Sequence, residues 1–178
     1  EDAPQRLVEG LAARGGIDTV VHNAGITRDK TLGRMKPEQW DLCLDVNLAA
    51  VLRLNEALIA GPFAQGGNLI FLSSISGLAG NVGQTNYSTA KSGLAGLAAD
   101  LGARGPVRCN AVAPGFIETR MTAAVPFMIR EGARRMAALK QGGLPDDVGA
   151  LVTFLASPAS AAVNGQTIRV CGGNMMGA

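Results

Sequence analysis

Hydrophobic and polar positions alternate along this chain with two different periods. Short Val/Ile-rich runs are separated by longer stretches in which apolar residues return every three or four positions. Residues 6 to 15, RLVEGLAARG, carry the helical period and stop at Gly15 and Gly16, as helices often do at glycine. IDTVVHNAG, residues 17 to 25, is a buried strand closing in a turn at Gly25. Helical spacing resumes at about Pro37, a favoured first-turn residue, and continues to Gly61. NLIFLSS (68 to 74), VRCNAVAPG (107 to 115) and QTIRVCGG (166 to 173) are three further strands. Between them, 85 to 105 predicts a helix, AAVPFMIREGARRMAALKQ (123 to 141) one or two more, and 146 to 157 a helix whose acidic first turn suits its dipole.

Strands this far apart cannot pair as hairpins. They need helical crossovers, which predicts an α/β fold with a doubly wound parallel sheet, Rossmann-like in layout. In such sheets ligands bind beyond the carboxyl ends of the strands. Those ends read HNAG (22 to 25), SSISG (73 to 77), APGFIET (113 to 119) and CGG (171 to 173).

Composition narrows the field. A chain of 178 residues, 47% hydrophobic and 17% charged, can bury the core of one domain. A net charge of +2 is too mild for a nucleic-acid surface. The cluster Arg130, Arg134 and Arg135 reads as the solvated face of an amphipathic helix. No apolar run reaches the length of a membrane span. Cys43, Cys109 and Cys171 share no metal-like spacing and are expected as buried, reduced thiols of a cytoplasmic protein. His22 alone cannot build a metal site, and none is expected; at a strand end it reads as a packing residue.

The chemistry gathers around the only tyrosine, Tyr87. Lys91, one of four lysines, follows at i+4 and shares its helix face. A phenol titrates near 10. A fixed ammonium nearby favours the phenolate and brings the group toward a useful range for acid–base work. Ser74, at a strand end, can donate to an oxygen on which negative charge grows. Hydride reduction of a carbonyl needs both functions, and the hydride must come from a cofactor. The Tyr–Lys spacing alone carries little; several elements in order, each at a strand end or on the next helix, carry more.

HNAG, the Ser74–Tyr87–Lys91 spacing, Asn47 in DVNLAA and APGFIETRMT together resemble the short-chain dehydrogenase/reductases. Within that family the passages GNVGQTNYSTAKSGL and NAVAPGFIETRMT are most similar to the β-ketoacyl-acyl-carrier-protein reductases, in their longer, two-domain form. The resemblance implies Tyr87 as catalytic acid, Lys91 lowering its pKa and binding the nicotinamide ribose, and Ser74 orienting the substrate carbonyl. It implies Asn47 as the anchor of a water in a proton relay. Asn23, Ala24 and Gly25 would lie against the cofactor's adenosine half. Pro114, Gly115, Ile117 and Thr119 would lie beside the nicotinamide. Residues from Met121 to about Gln141 would cover the substrate.

The implied activity is reduction of a 3-oxoacyl thioester, on acyl-carrier protein or CoA, with NADP(H) or NAD(H), by a cytoplasmic homodimer or homotetramer. The family opens with a strand and a Gly-rich turn that holds the cofactor pyrophosphate. The glycines at 15 to 16 and 142 to 143 read instead as helix ends. Residues 1 to 178 are therefore expected as the C-terminal portion of a single domain, truncated at the N-terminus by on the order of 60 residues, two βαβ units. Two other functions stay open: a non-catalytic fragment that keeps only the dimerising fold, and a reductase of a steroid, sugar or quinone carbonyl.

Overall fold

A computed structural model describes residues 2–61, 63–123 and 125–174. The elements run α1 (Ala3–Ala12), β1 (Ile17–His22), α2 (Pro37–Leu44), α3 (Ala50–Ala60), β2 (Phe63–Leu72), α4 (Ile75–Ala79) and α5 (Thr85–Arg104). They continue with β3 (Arg108–Pro114), α6 (Arg120–Ala123), α7 (Phe127–Met136), α8 (Pro145–Ala156) and β4 (Thr167–Val170). The four strands pair in sequence order, β1-β2-β3-β4, and every pairing is parallel. The parallel sheet with helical crossovers is the fold the apolar pattern predicts.

Period-two alternation on β2 divides the core. Leu69 and Phe71 pack on one face with Val51 of α3 and Leu94 and Ala98 of α5. Ile70 points the other way, onto Val112 and Leu155 of α8. Helices thus cover both faces, and nearly fully buried strands explain the continuous Val/Ile/Leu runs.

Several boundaries differ from the expectation for local reasons. The first helix begins at Ala3, because Pro4 preorganises its first turn. The predicted single helix from Pro37 to Gly61 is interrupted by a π turn at Asp45–Ala49, the position of Asn47. Hydrophobic spacing does not reveal one inserted residue. Of the one or two helices expected over 123 to 141, the described residues form one, α7, with α6 ending at Ala123; that stretch runs through Ala124, which lies outside the described residues. At α8, Asp147 reaches back to accept from the Leu144 N–H at 2.7 Å, which fixes the start behind Pro145.

Three expectations need correction. Cys43 and Cys109 are buried, whereas Cys171 is only partly so. Arg134 is not simply a solvated charge: its guanidinium pairs with Glu118 at 2.6 Å and with Glu131 at 3.5 Å, and lies 5.9 Å from the Phe116 ring centre. Gly142 and Gly143 do not close a helix, since α7 ends at Met136. Gly143 forms a β-bridge with Ile117, and a side chain at 142 would strike the Glu118 carboxylate at 2.6 Å. No helix among the described residues is long and apolar enough to cross a membrane.

Candidate active site

The site lies at the carboxyl ends of β1, β2 and β3. Asn23, Gly25, Ile26 and Thr27 follow β1, Leu72 and Ser73 end β2, and Pro114 ends β3. With Tyr87 and Lys91 from α5 they line one cleft of about 180 Å³. That is below the roughly 300–1,000 Å³ of pockets that bury a whole small ligand, so the cleft suits one end of a dinucleotide.

Helix α5 presents its catalytic face because it is pinned from below. The Ser73 hydroxyl donates to the Lys91 carbonyl at 2.7 Å. Gly77 lets α4 cross α5 at close range: a Cβ there would meet the Lys91 carbonyl carbon at 2.7 Å and the Ser92 nitrogen at 2.8 Å. Neither residue was singled out from the sequence, although both belong to the SSISG strand end. A glycine two residues into the helix after a strand is a readable sign of close backbone approach.

Lys91 is buried, 4% exposed, and its Nζ donates to the Leu72 carbonyl at 2.7 Å. Burial pushes its pKa down to about 8, against a smaller upward pull from Cys43. The ammonium stands 5.6 Å from the centre of the Tyr87 ring. Burial likewise pushes the Tyr87 phenol above its ordinary value; the nearby Ser74 hydroxyl pulls it back, and Cys43 and Asp29 push it further up. The expectation that Lys91 brings the phenol down is therefore not met in this arrangement. Lys91, whose own pKa is pushed down to about 8, has lost its charge where the phenol titrates, so loss of water decides the direction.

Ser74 caps α4, its oxygen accepting from the Ser76 N–H at 3.1 Å. The bond uses a lone pair and leaves the hydroxyl proton free to donate. Asn47 sits fully buried in the π turn. Its Oδ1 accepts from the Ile26 N–H at 3.1 Å, and its Nδ2 donates to the carbonyls of Ile26 at 2.9 Å and Cys43 at 2.7 Å. Both amide protons are thus committed, so a water held by Asn47 has to bind at an oxygen. A Cβ on Gly25 would stand 2.7 Å from the Asn47 Oδ1 and 3.3 Å from the Lys91 Nζ. Gly25 therefore lets the β1 loop close over Asn47 and Lys91.

The remaining candidates are farther out. Ala24 is exposed and does not line the cleft. Gly115, Ile117 and Thr119 lead away from Pro114 toward α6. Gly115 is required by packing, since a Cβ would meet the Cys171 Cα at 2.8 Å. Ile117 is buried, and Thr119 exchanges hydrogen bonds with Thr122 at the start of α6. His22 is buried, with Nε2 2.8 Å from the Asn55 Oδ1, and burial pushes its pKa down. It is a packing residue, as its strand-end setting suggests. The Lys91 ammonium and Tyr87 phenol, with the Asn23 amide, the Thr27 hydroxyl and backbone at the strand ends, fit the nicotinamide–ribose end of a cofactor. A wider surface groove between Ala79 and Thr89 is lined by no titratable side chain.

Residues 1–174 match a family profile described as enoyl-(acyl carrier protein) reductase. The chain is 42% identical to the 3-oxoacyl-(acyl-carrier-protein) reductase FabG of Thermotoga maritima over 178 residues, 97% of this chain and 72% of the relative. It is 44% identical to acetoacetyl-CoA reductase of Synechocystis over 163 residues, 89% of this chain and 68% of the relative. It is 42% identical to (3R)-3-hydroxyacyl-CoA dehydrogenase of Mus musculus over 182 residues, 98% of this chain and 70% of the relative.

Proposed function

Because the chain belongs to the short-chain dehydrogenase/reductase family, whose members are oxidoreductases using a nicotinamide cofactor, we propose that it reduces the keto group of a 3-oxoacyl thioester. The acyl group rides on acyl-carrier protein or CoA, the two carriers in the relatives' names. The carrying observation is the convergence of Tyr87 and Lys91 on one cleft, with Ser74 close enough to act on the phenol. The family profile is named for an enoyl reduction. Two hydroxyl donors at one site favour an oxygen acceptor, which is the carbonyl reading.

When bound, the nicotinamide supplies the hydride. Tyr87 donates its proton to the carbonyl oxygen, and the free Ser74 proton donates to the same oxygen as charge develops there. A phenol held above its ordinary value stays protonated at neutral pH, the form that reduction requires. Lys91 holds the ribose side of the cleft and is mostly charged below about pH 8. Pro114 bounds the cleft on the β3 side, and Asn23 and Gly25 close it on the β1 side. The cofactor is NADPH or NADH, since the cleft takes the end that the two share. The same reading includes a homodimer or homotetramer in the cytoplasm.

The test is Tyr87→Phe, which removes one hydroxyl. Acetoacetyl-CoA reduction, followed by consumption of NADH or NADPH, should fall about 10²–10⁴-fold, the usual worth of a general acid. Turnover equal to that of the unmodified protein overturns the assignment.

A further inference from the structure

The first four N–H groups of an α-helix lack partners within the helix. In α5 the first helical bond is Ser88 N–H to the Gln84 carbonyl at 2.7 Å, which leaves the Tyr87 N–H among the unpaired groups. Gln84, at the cap position, supplies no side-chain bond to the helix's own N–H groups. The Tyr87 N–H donates instead to the Asn86 Oδ1 at 2.8 Å. The Nδ2 of the same amide donates to the Arg28 carbonyl at 3.0 Å and to the Gln39 carbonyl at 3.1 Å. Asn86 is fully buried. One side chain thus joins three segments: the start of the catalytic helix, the loop after β1 and helix α2.

Two outer bonds run beside this one. Lys30 N–H donates to the Gly83 carbonyl at 2.8 Å, and Gln84 Nε2 to the Asp29 carboxylate at 2.9 Å. Both join the β1 loop to the turn ahead of α5, but only Asn86 reaches the backbone of Tyr87 itself. A helix cap of the ordinary kind precedes its helix and serves that helix alone. Asn86 stands one residue inside α5, and both of its donors point to other segments.

We propose that Asn86 is a positioning residue, whose buried amide locks the Tyr87 backbone to the loop carrying Asn23 and Gly25 and so sets the acid against the cofactor. The functional consequence rests on Tyr87 being the acid; the lock itself does not. Alanine at 86 would leave the Tyr87 N–H and the carbonyls of Arg28 and Gln39 without their partner in a dry place. Leucine would do the same while keeping the branch at Cγ and filling the space with larger, apolar end groups.

Because Tyr87 is the only tyrosine, phenolate absorbance titrates this one group with no cofactor and no turnover. The groups acting on it are Ser74, Cys43 and Asp29; Lys91, beside the ring, is already neutral where the phenol titrates. In Asn86→Ala and Asn86→Leu the start of α5 is freed from the loop and water reaches the phenol. Its midpoint should fall toward the ordinary value. Asn110, an equally buried amide on β3 bonded to Val163 and Gln166, serves as the control. Asn110→Ala should lower the melting temperature and leave the midpoint in place. An unmoved midpoint in a folded Asn86 variant, or an equal fall in Asn110→Ala, overturns the proposal.

Where turnover is measured, kcat of the Asn86 variants should drop about 10–100-fold, with KM for acetoacetyl-CoA little changed; an unchanged kcat also overturns it. If neither variant folds, hydrogen exchange in the unmodified protein decides. Slow exchange of the Tyr87 N–H and the Asn86 side-chain amide supports the lock, and exchange at the rate of exposed groups refutes it. Failure of the separate Tyr87→Phe test would leave the titration result standing.

Discussion

The helix that lines the cleft, α5, and a helix that follows β3, α7, are held in opposite ways. α5 buries Asn86, Ala90, Lys91, Leu94 and Ala98, and its first turns are bound to the end of β2, to the β1 loop and to α2. α7 buries no residue. Phe127, Met128 and Ile129 are 62%, 77% and 62% exposed, and the recorded ties of α7 to the preceding loop centre on Arg134 with Glu118 and Phe116. Proton delivery needs fixed geometry, so its residues stand on a helix that cannot shift without breaking buried contacts. A thioester's acyl chain varies, and an exposed apolar helix can settle on chains of different length. Segments with few buried contacts open at the lowest free-energy cost. On the proposed function the firmly held helix would carry the chemistry, and the loosely held one would be free to adapt to the substrate.

Glycine substitutions test this contrast directly. Gly77→Ala places a Cβ against backbone atoms of Lys91 and Ser92, which have nowhere to go. Overpacking of this kind costs about 1–3 kcal/mol, and here the displaced atoms belong to the catalytic turn. Thermal or urea unfolding should show a loss at the upper end of that range, with reductase activity down at least about tenfold. A Gly77→Ala protein of unchanged stability and activity would mean that α5 yields as readily as α7.

The second expected effect is smaller and depends on pH. Lys91 titrates at about 8 in the folded chain, below its ordinary 10.5, so folding releases a proton between those values. The sign follows from linkage: the unfolded state binds more protons there, and stability contributed by Lys91 rises as pH climbs from about 8 to about 10.5. Below that window the burial penalty is at its full size, about 1.4 kcal/mol per pH unit of depression. Lys91→Met removes the penalty but also the bond to the Leu72 carbonyl, worth about 1 kcal/mol. The variant should be inactive yet more stable at pH 7 by about 1–2 kcal/mol. Its advantage should shrink toward pH 10. The raised Tyr87 phenol lowers stability above pH 10, but it is present in both proteins and largely cancels in the difference. Denaturant unfolding at pH 7 and pH 9.5 checks both points; a variant less stable at pH 7, or a difference that ignores pH, refutes the account of a strained lysine.

Much of this was legible in the sequence because the signals are local. Periodicity exposes a buried parallel strand, and a Tyr–Lys pair at i, i+4 after a strand end needs no tertiary knowledge to share a face. What stayed hidden depends on segments far apart in the chain. Asn86 meets Arg28 and Gln39 across 58 and 47 residues, and no spacing rule connects them. The π turn at Asn47 differs from a plain helix by one residue, which the apolar pattern absorbs. The direction of the Tyr87 pKa could not be inferred from its neighbour's charge, because burial of both groups outweighs the pair. Arg134 looked like a solvated charge because Glu118 lies 16 residues earlier, across a turn.

The smallest effect belongs to α7 and has the opposite sign. Gly132 lies inside that helix, and a Cβ there would meet nothing within 4 Å. Alanine in a helix interior is favoured over glycine by about 0.5–1 kcal/mol, because the unfolded chain has less freedom to lose. Gly132→Ala should therefore stiffen α7 without touching the cleft. If α7 serves by adapting, turnover of a short thioester such as acetoacetyl-CoA should hold while the range of longer chains narrows by a few-fold in kcat/KM. Local hydrogen exchange across residues 127 to 136 should slow at the same time. Slower exchange with an unchanged chain-length profile would show that the looseness of α7 has no part in choosing substrates, and would leave α5 as the sole determinant of the reaction.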